Sequence, residues 1–175
     1  RIWYGYAFYR IPLTQGQYAT VDPDDYFRLS KYKWYASKQR GNCYALRSGE
    51  TINSKKRPIH MHREVLPTSD HLLVDHINRN GLDNRKANLR PATKAQNCRN
   101  RSKHRYTNFT SRYKGVCWNR SKNRWEAHLR TNGKTKYLGS FHRETEAAKA
   151  YDRAARHYFG EFAAPNFPLR KRRSC

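Results

Sequence analysis

The chain has 175 residues with 37 Lys and Arg against 13 Asp and Glu, a formal net charge of +24 that exceeds what solubility requires and implies a polyanionic partner, nucleic acid first. The surplus is spread along the chain, +11 over residues 1–102 and +13 over residues 103–175, so both halves are expected to touch phosphates. No apolar run approaches the roughly 20 residues that cross a bilayer, the opening RIWYGYAFYRIPL lacks a signal-peptide pattern, and Cys43, Cys98, Cys117 and Cys175 form no C-x-x-C pair, which speaks against a structural zinc site and for a reduced, intracellular compartment.

Charge alone also suits an RNA binder of ribosomal type or a membrane-surface protein, so motifs along the chain must decide. Residues 1–58 read as a tyrosine-rich, strand-rich supporting subdomain that also touches DNA. RIPLTQGQYATV predicts two short strands about a Gln-Gly turn, and Asp22 to Lys33 predicts a helix with Tyr26, Leu29 and the Lys33 stem on one side. KWYASKQRGNCYALRS predicts a hairpin about Gly41-Asn42. Its aromatics are expected in a small core rather than as base-stacking platforms, and below roughly 70 residues such a core is hard to stabilise alone.

Residues 59–102 carry the chemistry. HLLVDH is an apolar run ending on Asp75 and His76, INRNGLDNRKA is a polar loop, NLRP is a short extended piece, and ATKAQNCRN is helix-like, which gives strand, loop, strand, helix. Phosphodiester hydrolysis needs a water nucleophile, a proton acceptor and a cation that neutralises phosphate charge. Histidine, with an unperturbed pKa of roughly 6.5, is mostly neutral at cellular pH and suits the acceptor. Hard oxygen donors suit Mg2+.

The spacing of Asp75, His76, Asn88 and Asn97, within the strings D-H-I-N, L-D-N-R and N-L-R and with H-R at 62, resembles the HNH nuclease family in a variant where asparagine replaces the last histidine. The resemblance implies a ββα-metal core, with His76 as general base, Asp75 and Asn97 as ligands of Mg2+ or Mn2+, Asn88 tying the loop and orienting the histidine, and no organic cofactor. Asparagine at the last position weakens the expectation of tight transition-metal binding. His62 in IHMHREVL matches a histidine recurrent in this subgroup, with packing or phosphate contact as its expected role. His60 and His71 are expected to be structural or solvated.

The basic stretch NRSKHRYTNFTS contains a linker at residues 103–111, either tracking phosphates or serving as a solvated tether. Beyond it, Asn132-Gly133 between alternating runs predicts a two-residue type I′ hairpin turn. Thr131 then pairs with Lys134, Arg130 with Thr135, His128 with Tyr137 and Ala127 with Leu138. One sheet face gathers Trp125, Ala127, Leu129 and Leu138, and the other gathers Arg124, Glu126, His128, Arg130, Thr135 and Tyr137. A helix over RETEAAKAYDRAARHYFG, with Ala147, Tyr151, Ala154 and Tyr158 as its inner stripe, is expected to cover the apolar face.

From Tyr113 to Pro168 the motifs Y-K-G-V, W-x-A-x-L-R, Y-L-G-S-F, E-A-A-K-A-Y-D-x-A-A and N-F-P resemble the AP2 DNA-binding domain. The resemblance implies base and phosphate reading by Lys114, Trp118, Arg120, Arg124, Arg130, Lys136 and Tyr137. Cys117-Trp118-Asn119 stands where plant members favour arginine, and His128 where they often have glutamate.

The expected fold is α+β: a ββα-metal nuclease core at 59–102, the strand-rich subdomain at 1–58, an AP2-like three-stranded antiparallel sheet packed on one helix at 112–168, and a basic tail at 169–175. The expected function is a monomeric, metal-dependent homing-type endonuclease that nicks double-stranded DNA, without membrane association. The rival is a non-catalytic, sequence-specific DNA-binding regulator.

Overall fold

A computed structural model describes residues 2–3, 6–39, 41–52, 55–103 and 109–168. The chain forms two compact units, residues 1–97 and 98–175. The tail at 169–175 and residues 104–108 of the linker lie outside the described residues. Among the described residues no helix is long and apolar enough to cross a membrane.

The first unit opens with two small antiparallel pairs, β1 (Ile2–Trp3) with β2 (Tyr6–Ala7), and β3 (Tyr9–Pro12) with β4 (Tyr18–Val21). Helix α1 (Pro23–Leu29) follows, with Asp22 before a proline whose fixed φ suits a first helical residue. It ends at Leu29 rather than continuing to Lys33. The Leu29 carbonyl accepts the Trp34 indole N–H at 2.8 Å and the Tyr32 backbone N–H at 3.2 Å, which turns the chain toward the core.

Strands β5 (Tyr35–Gln39), β6 (Asn42–Ile52) and β7 (Lys55–His60) form an antiparallel sheet in that order. Gln39 pairs with Asn42, so Asn42 lies in a strand rather than in the turn expected at Gly41-Asn42, and Arg40 lies outside the described residues. Strand β7 was hidden in a charged, proline-containing sequence. Pro58 is accommodated because β7 is an edge strand.

After α2 (Met61–Val65), strands β8 (Leu73–His76) and β9 (Leu89–Ala92) pair antiparallel, and α3 (Lys94–Arg99) follows. Ile11, Val21, Leu29, Trp34, Met61, Val74 and Leu89 share one buried cluster. The same core therefore supports the N-terminal strands and the β8–β9 hairpin.

In the second unit β10 (Val116–Asn119), β11 (Arg124–Thr131) and β12 (Lys134–Phe141) form an antiparallel sheet covered by α4 (Glu144–Phe159). Asn132 and Gly133 have φ of 50° and 75°, the sign pattern of a type I′ turn, and Thr131 pairs with Lys134 as expected. The expected register holds through His128 and Tyr137. A bulge between Ala127 and His128 then sets Ala127 opposite Gly139 rather than Leu138.

The inner stripe of α4 also differs from expectation. Ala147, Tyr151, Ala155 and Phe159 recur every fourth residue and are buried, whereas Tyr158 is 42% exposed. Its hydroxyl accepts a hydrogen bond from Lys136 Nζ at 2.9 Å. Phe159, the more apolar of the two rings, takes the inner place.

Buried Asp152 on α4 clasps the two ends of this unit. Its carboxylate accepts the backbone N–H groups of Asn166 and Phe167, each at 2.7 Å. The Asn166 side chain in turn accepts the Lys114 N–H at 2.7 Å and donates to the Lys114 carbonyl at 3.2 Å. Gly115 is the close approach in this clasp: at φ +73°, a Cβ there would lie 2.0 Å from the Tyr151 ring. Gly115→Ala combines overpacking with left-handed strain and is expected to destabilise this unit by about 2–4 kcal/mol, read as a lowered urea midpoint.

Candidate functional site

The β8–β9 register sets Asp75 opposite Arg90 and His76 opposite Leu89. The buried guanidinium of Arg90 approaches Asp75 Oδ2 through Nε at 2.9 Å and Nη2 at 2.8 Å. This charge-assisted contact holds the carboxylate in place beside the histidine.

His76 is buried, with Nε2 3.2 Å from Asn84 Oδ1. An amide oxygen only accepts, so Nε2 carries the proton and the basic lone pair of the neutral ring sits on Nδ1. The ring packs edge-on against His62, with centroids 5.1 Å apart, and against Tyr44 at 5.9 Å, and His60 lies 4.9 Å from His62. Burial, then the neighbouring His76, His60 and Arg63 charges, push His62 down to about 2. His60 is lowered by burial and then by Arg63 and His76. Burial also lowers His76, opposed by the Asn84 hydrogen bond and the Asp75 and Asp83 charges. The result is a cluster of neutral imidazoles.

The loop between the strands is fixed from within and from outside. Asn88 donates from Nδ2 to the Asp83 carbonyl at 2.7 Å and accepts the Asn78 N–H at 2.9 Å on Oδ1. Asp83 accepts two hydrogen bonds from Arg85, each 2.7 Å, and one from Asn78 Nδ2 at 2.8 Å. Burial raises the Asp83 carboxyl, but the hydrogen bonds and charge of Arg85 outweigh it and hold the group below the usual carboxylate range.

From β4, the Thr20 N–H donates to the Leu82 carbonyl and the Thr20 carbonyl accepts the Asn84 N–H, both at 2.8 Å. Lys86 N–H donates to Asp22 Oδ2 at 2.7 Å. Gly81 lies so close to β6 that a Cβ there would stand 2.5 Å from the Cys43 carbonyl.

Asp75, His76 and Asn88 thus belong to one hairpin and its loop, and Asn97 lies in the helix that follows. Helix α3 begins with a reciprocal cap between Thr93 and Gln96, at 2.8 and 3.3 Å, and the Asn97 N–H bonds the Thr93 carbonyl at 2.9 Å. Asn84, wholly buried at 0% exposure, was not singled out from the sequence. Its signal was the string L-D-N-R, which marks a motif without revealing the partner of the asparagine.

In the second unit Arg124, Arg130 and Tyr137 stand on the polar sheet face with Asn119, Glu126 and His128, and Tyr137 is 54% exposed. Arg120 is exposed in the β10–β11 turn. Trp118 and Lys136 fall elsewhere. Trp118 pairs with Trp125, their rings 4.9 Å apart, and Lys136 pairs with Leu129 and bonds Tyr158, so strand alternation assigns both to the helix side. Lys114 Nζ donates to the carbonyls of Arg99 at 2.8 Å and Arg101 at 2.6 Å. Lys122 and Asn119 were not singled out as site residues. Both bond Glu126 Oε1, at 3.1 and 3.0 Å.

The AP2 domain family matches residues 111–161. A protein of Acanthamoeba polyphaga mimivirus, named an uncharacterized HNH endonuclease, is 34% identical over 160 residues, 87% of this chain and 76% of its own length. The AP2-like ethylene-responsive transcription factor AIL7 of Arabidopsis thaliana is 43% identical over 70 residues, 34% of this chain and 14% of that protein. APETALA2-like protein 2 of Oryza sativa subsp. indica is 47% identical over 60 residues, again 34% of this chain and 14% of that protein. A sheet-and-helix unit of AP2 type joined to a hairpin-and-helix unit defines a two-part chain, and the viral relative matches it across both parts. The chain belongs to the HNH endonuclease family and carries an AP2 domain.

Asn84→Ala removes the acceptor that selects the His76 tautomer and leaves buried groups unpaired. Its expected cost is about 1–3 kcal/mol in urea unfolding. Nitrogen-15 NMR of the imidazole is expected to show the Nε2–H form of His76 in the parent and a tautomer mixture in the variant.

Proposed function

We propose that the protein is a metal-dependent, site-specific DNA endonuclease of homing type that nicks one strand of a duplex. The observation that carries this reading is the buried His76 held by Asn84 beside Asp75, in a chain whose relative over 160 residues is named an HNH endonuclease.

His76 acts as general base through Nδ1. Burial keeps it neutral, against the opposing pull of Asn84, Asp75 and Asp83, and the Asn84 bond aims the ring, so it can take a proton from water without first losing one. Asn88 positions the loop that carries Asn84, through its bonds to Asp83 and Asn78. The carboxylate of Asp75 and the amide oxygen of Asn97 are hard donors that fit Mg2+ or Mn2+, and Arg90 orients the carboxylate through Oδ2. Bound there, the cation would offset charge on the phosphate and on the departing 3′ oxygen. The products are a 5′ phosphate and a 3′ hydroxyl, and one site in a monomer cuts one strand.

The AP2 domain supplies duplex recognition. Arg130, Arg124 and Tyr137 on the polar face read bases and phosphates, with Arg120 at its edge, because an antiparallel sheet fits the major groove. The net charge of +24 supports the backbone-binding share of the affinity.

Incubating plasmid DNA with the protein and Mg2+ is expected to yield nicked circles with ends at a shared sequence, and EDTA is expected to abolish them. His76→Ala is expected to slow nicking by roughly 10²–10⁴-fold while duplex binding stays nearly unchanged. Retained cleavage by that variant would overturn the base assignment. Arg130→Ala is expected to weaken duplex binding by about 1–3 kcal/mol in a titration at fixed salt.

A further inference from the structure

We propose that Cys117, Glu126 and His128 form a binding site for a divalent cation of the zinc class on the polar face of the AP2 sheet, distinct from the oxygen donors Asp75 and Asn97. This inference stands independently of the nuclease reading.

Sheet register builds the site. Cys117 on β10 pairs with Glu126 on β11, and His128 lies two residues along β11, so all three side chains project from one face. Among the described residues these three offer a sulfur, a carboxylate oxygen and an imidazole nitrogen within 4.8 Å of one another. Around a tetrahedral zinc with bonds of about 2.0–2.3 Å, neighbouring ligand atoms stand about 3.3–3.8 Å apart. His128 Nε2 and Glu126 Oε2 already stand at 3.3 Å, so closure asks only for a small movement of the cysteine.

The donor set selects the metal. A thiolate with an imidazole and one carboxylate favours zinc-class ions over Mg2+, which takes oxygen. Three protein ligands leave the fourth position to water. Absence of a C-x-x-C pair does not bear on this site, since its ligands come from two strands brought together by pairing. Nor is it needed for folding, because the sheet has its own core beneath α4.

Loading has a defined proton and charge balance. The Cys117 sulfur enters as a thiol, the ordinary state of a cysteine below a pKa of about 8.5. Metal binding forms the S–metal bond, breaks the S–H bond and releases one proton to solvent. Lys122 and Asn119 bond Oε1 of Glu126, which leaves Oε2, the oxygen facing His128, to take the cation.

Co2+ titrated into the reduced, metal-free full chain tests the site, because a cobalt–thiolate bond gives a near-ultraviolet charge-transfer band and tetrahedral cobalt gives intense visible bands. The expected result is both bands at one equivalent, abolished by excess Zn2+ and unaffected in Cys98→Ser. Cys117→Ser is expected to lose the charge-transfer band, and His128→Ala to weaken cobalt binding at least about tenfold, with circular dichroism confirming that each variant is folded. No charge-transfer band in the parent chain, or a band that survives Cys117→Ser, overturns the site. Unchanged affinity in folded His128→Ala overturns the triad.

Discussion

Asn84 is the group on which the first unit depends. Its amide oxygen faces the His76 ring, its amide nitrogen reaches Leu82 and the Met61 sulfur, and its backbone N–H bonds Thr20. A wholly buried amide is costly unless its groups are paired together, and this pairing is possible only when β4, α2 and the β8–β9 loop are all in place. The orientation of the histidine is therefore a consequence of completed folding. The hydrophobic cluster around Met61, Val74 and Leu89 supplies the non-directional drive, and the polar loop converts it into one geometry.

The second unit solves a different problem. A three-stranded sheet exposes two faces, and α4 covers only one of them with small alanines that permit close approach. The uncovered face can afford polar residues because their neighbours satisfy them: Glu126 is met by Lys122, Asn119 and His128, leaving Arg130 and Tyr137 outward. Lys122 first, then Asn119 and His128, hold the Glu126 carboxyl below its ordinary value despite partial desolvation. A surface with a positive surplus thus contains one anionic centre that organises its cations, which is why a cation site and a nucleic-acid face can occupy the same strands.

What the sequence by itself determined was local. Asn132-Gly133 dictated its own turn because two consecutive residues tolerant of positive φ close a hairpin without help from the rest of the chain. The order of β8, loop, β9 and α3 was legible because an apolar run gives way to a polar loop, a short extended piece and a helix-like segment. The adjacency of Asp75 and His76, and the family likeness of the whole, were likewise open to reading.

What only the tertiary structure decided depends on long-range register and burial, for which the sequence carries no local code. The four-residue difference between α1 as expected and as found arose from the Trp34 indole binding Leu29, and Phe159 displaced Tyr158 because the packed ridge on α4 repeats every fourth residue. A bulge beside Gly139 broke the register expected for Leu138. Strand parity set Trp118 and Lys136 on the helix side of the sheet, and Lys114 turned to the Arg99 and Arg101 carbonyls. The partnership of His76 with Asn84, the edge-on packing of His62 against it and the tilted packing of His60 against His62, and the meeting of Cys117 with Glu126 and His128 all join residues whose proximity exists only after strands pair and water is excluded.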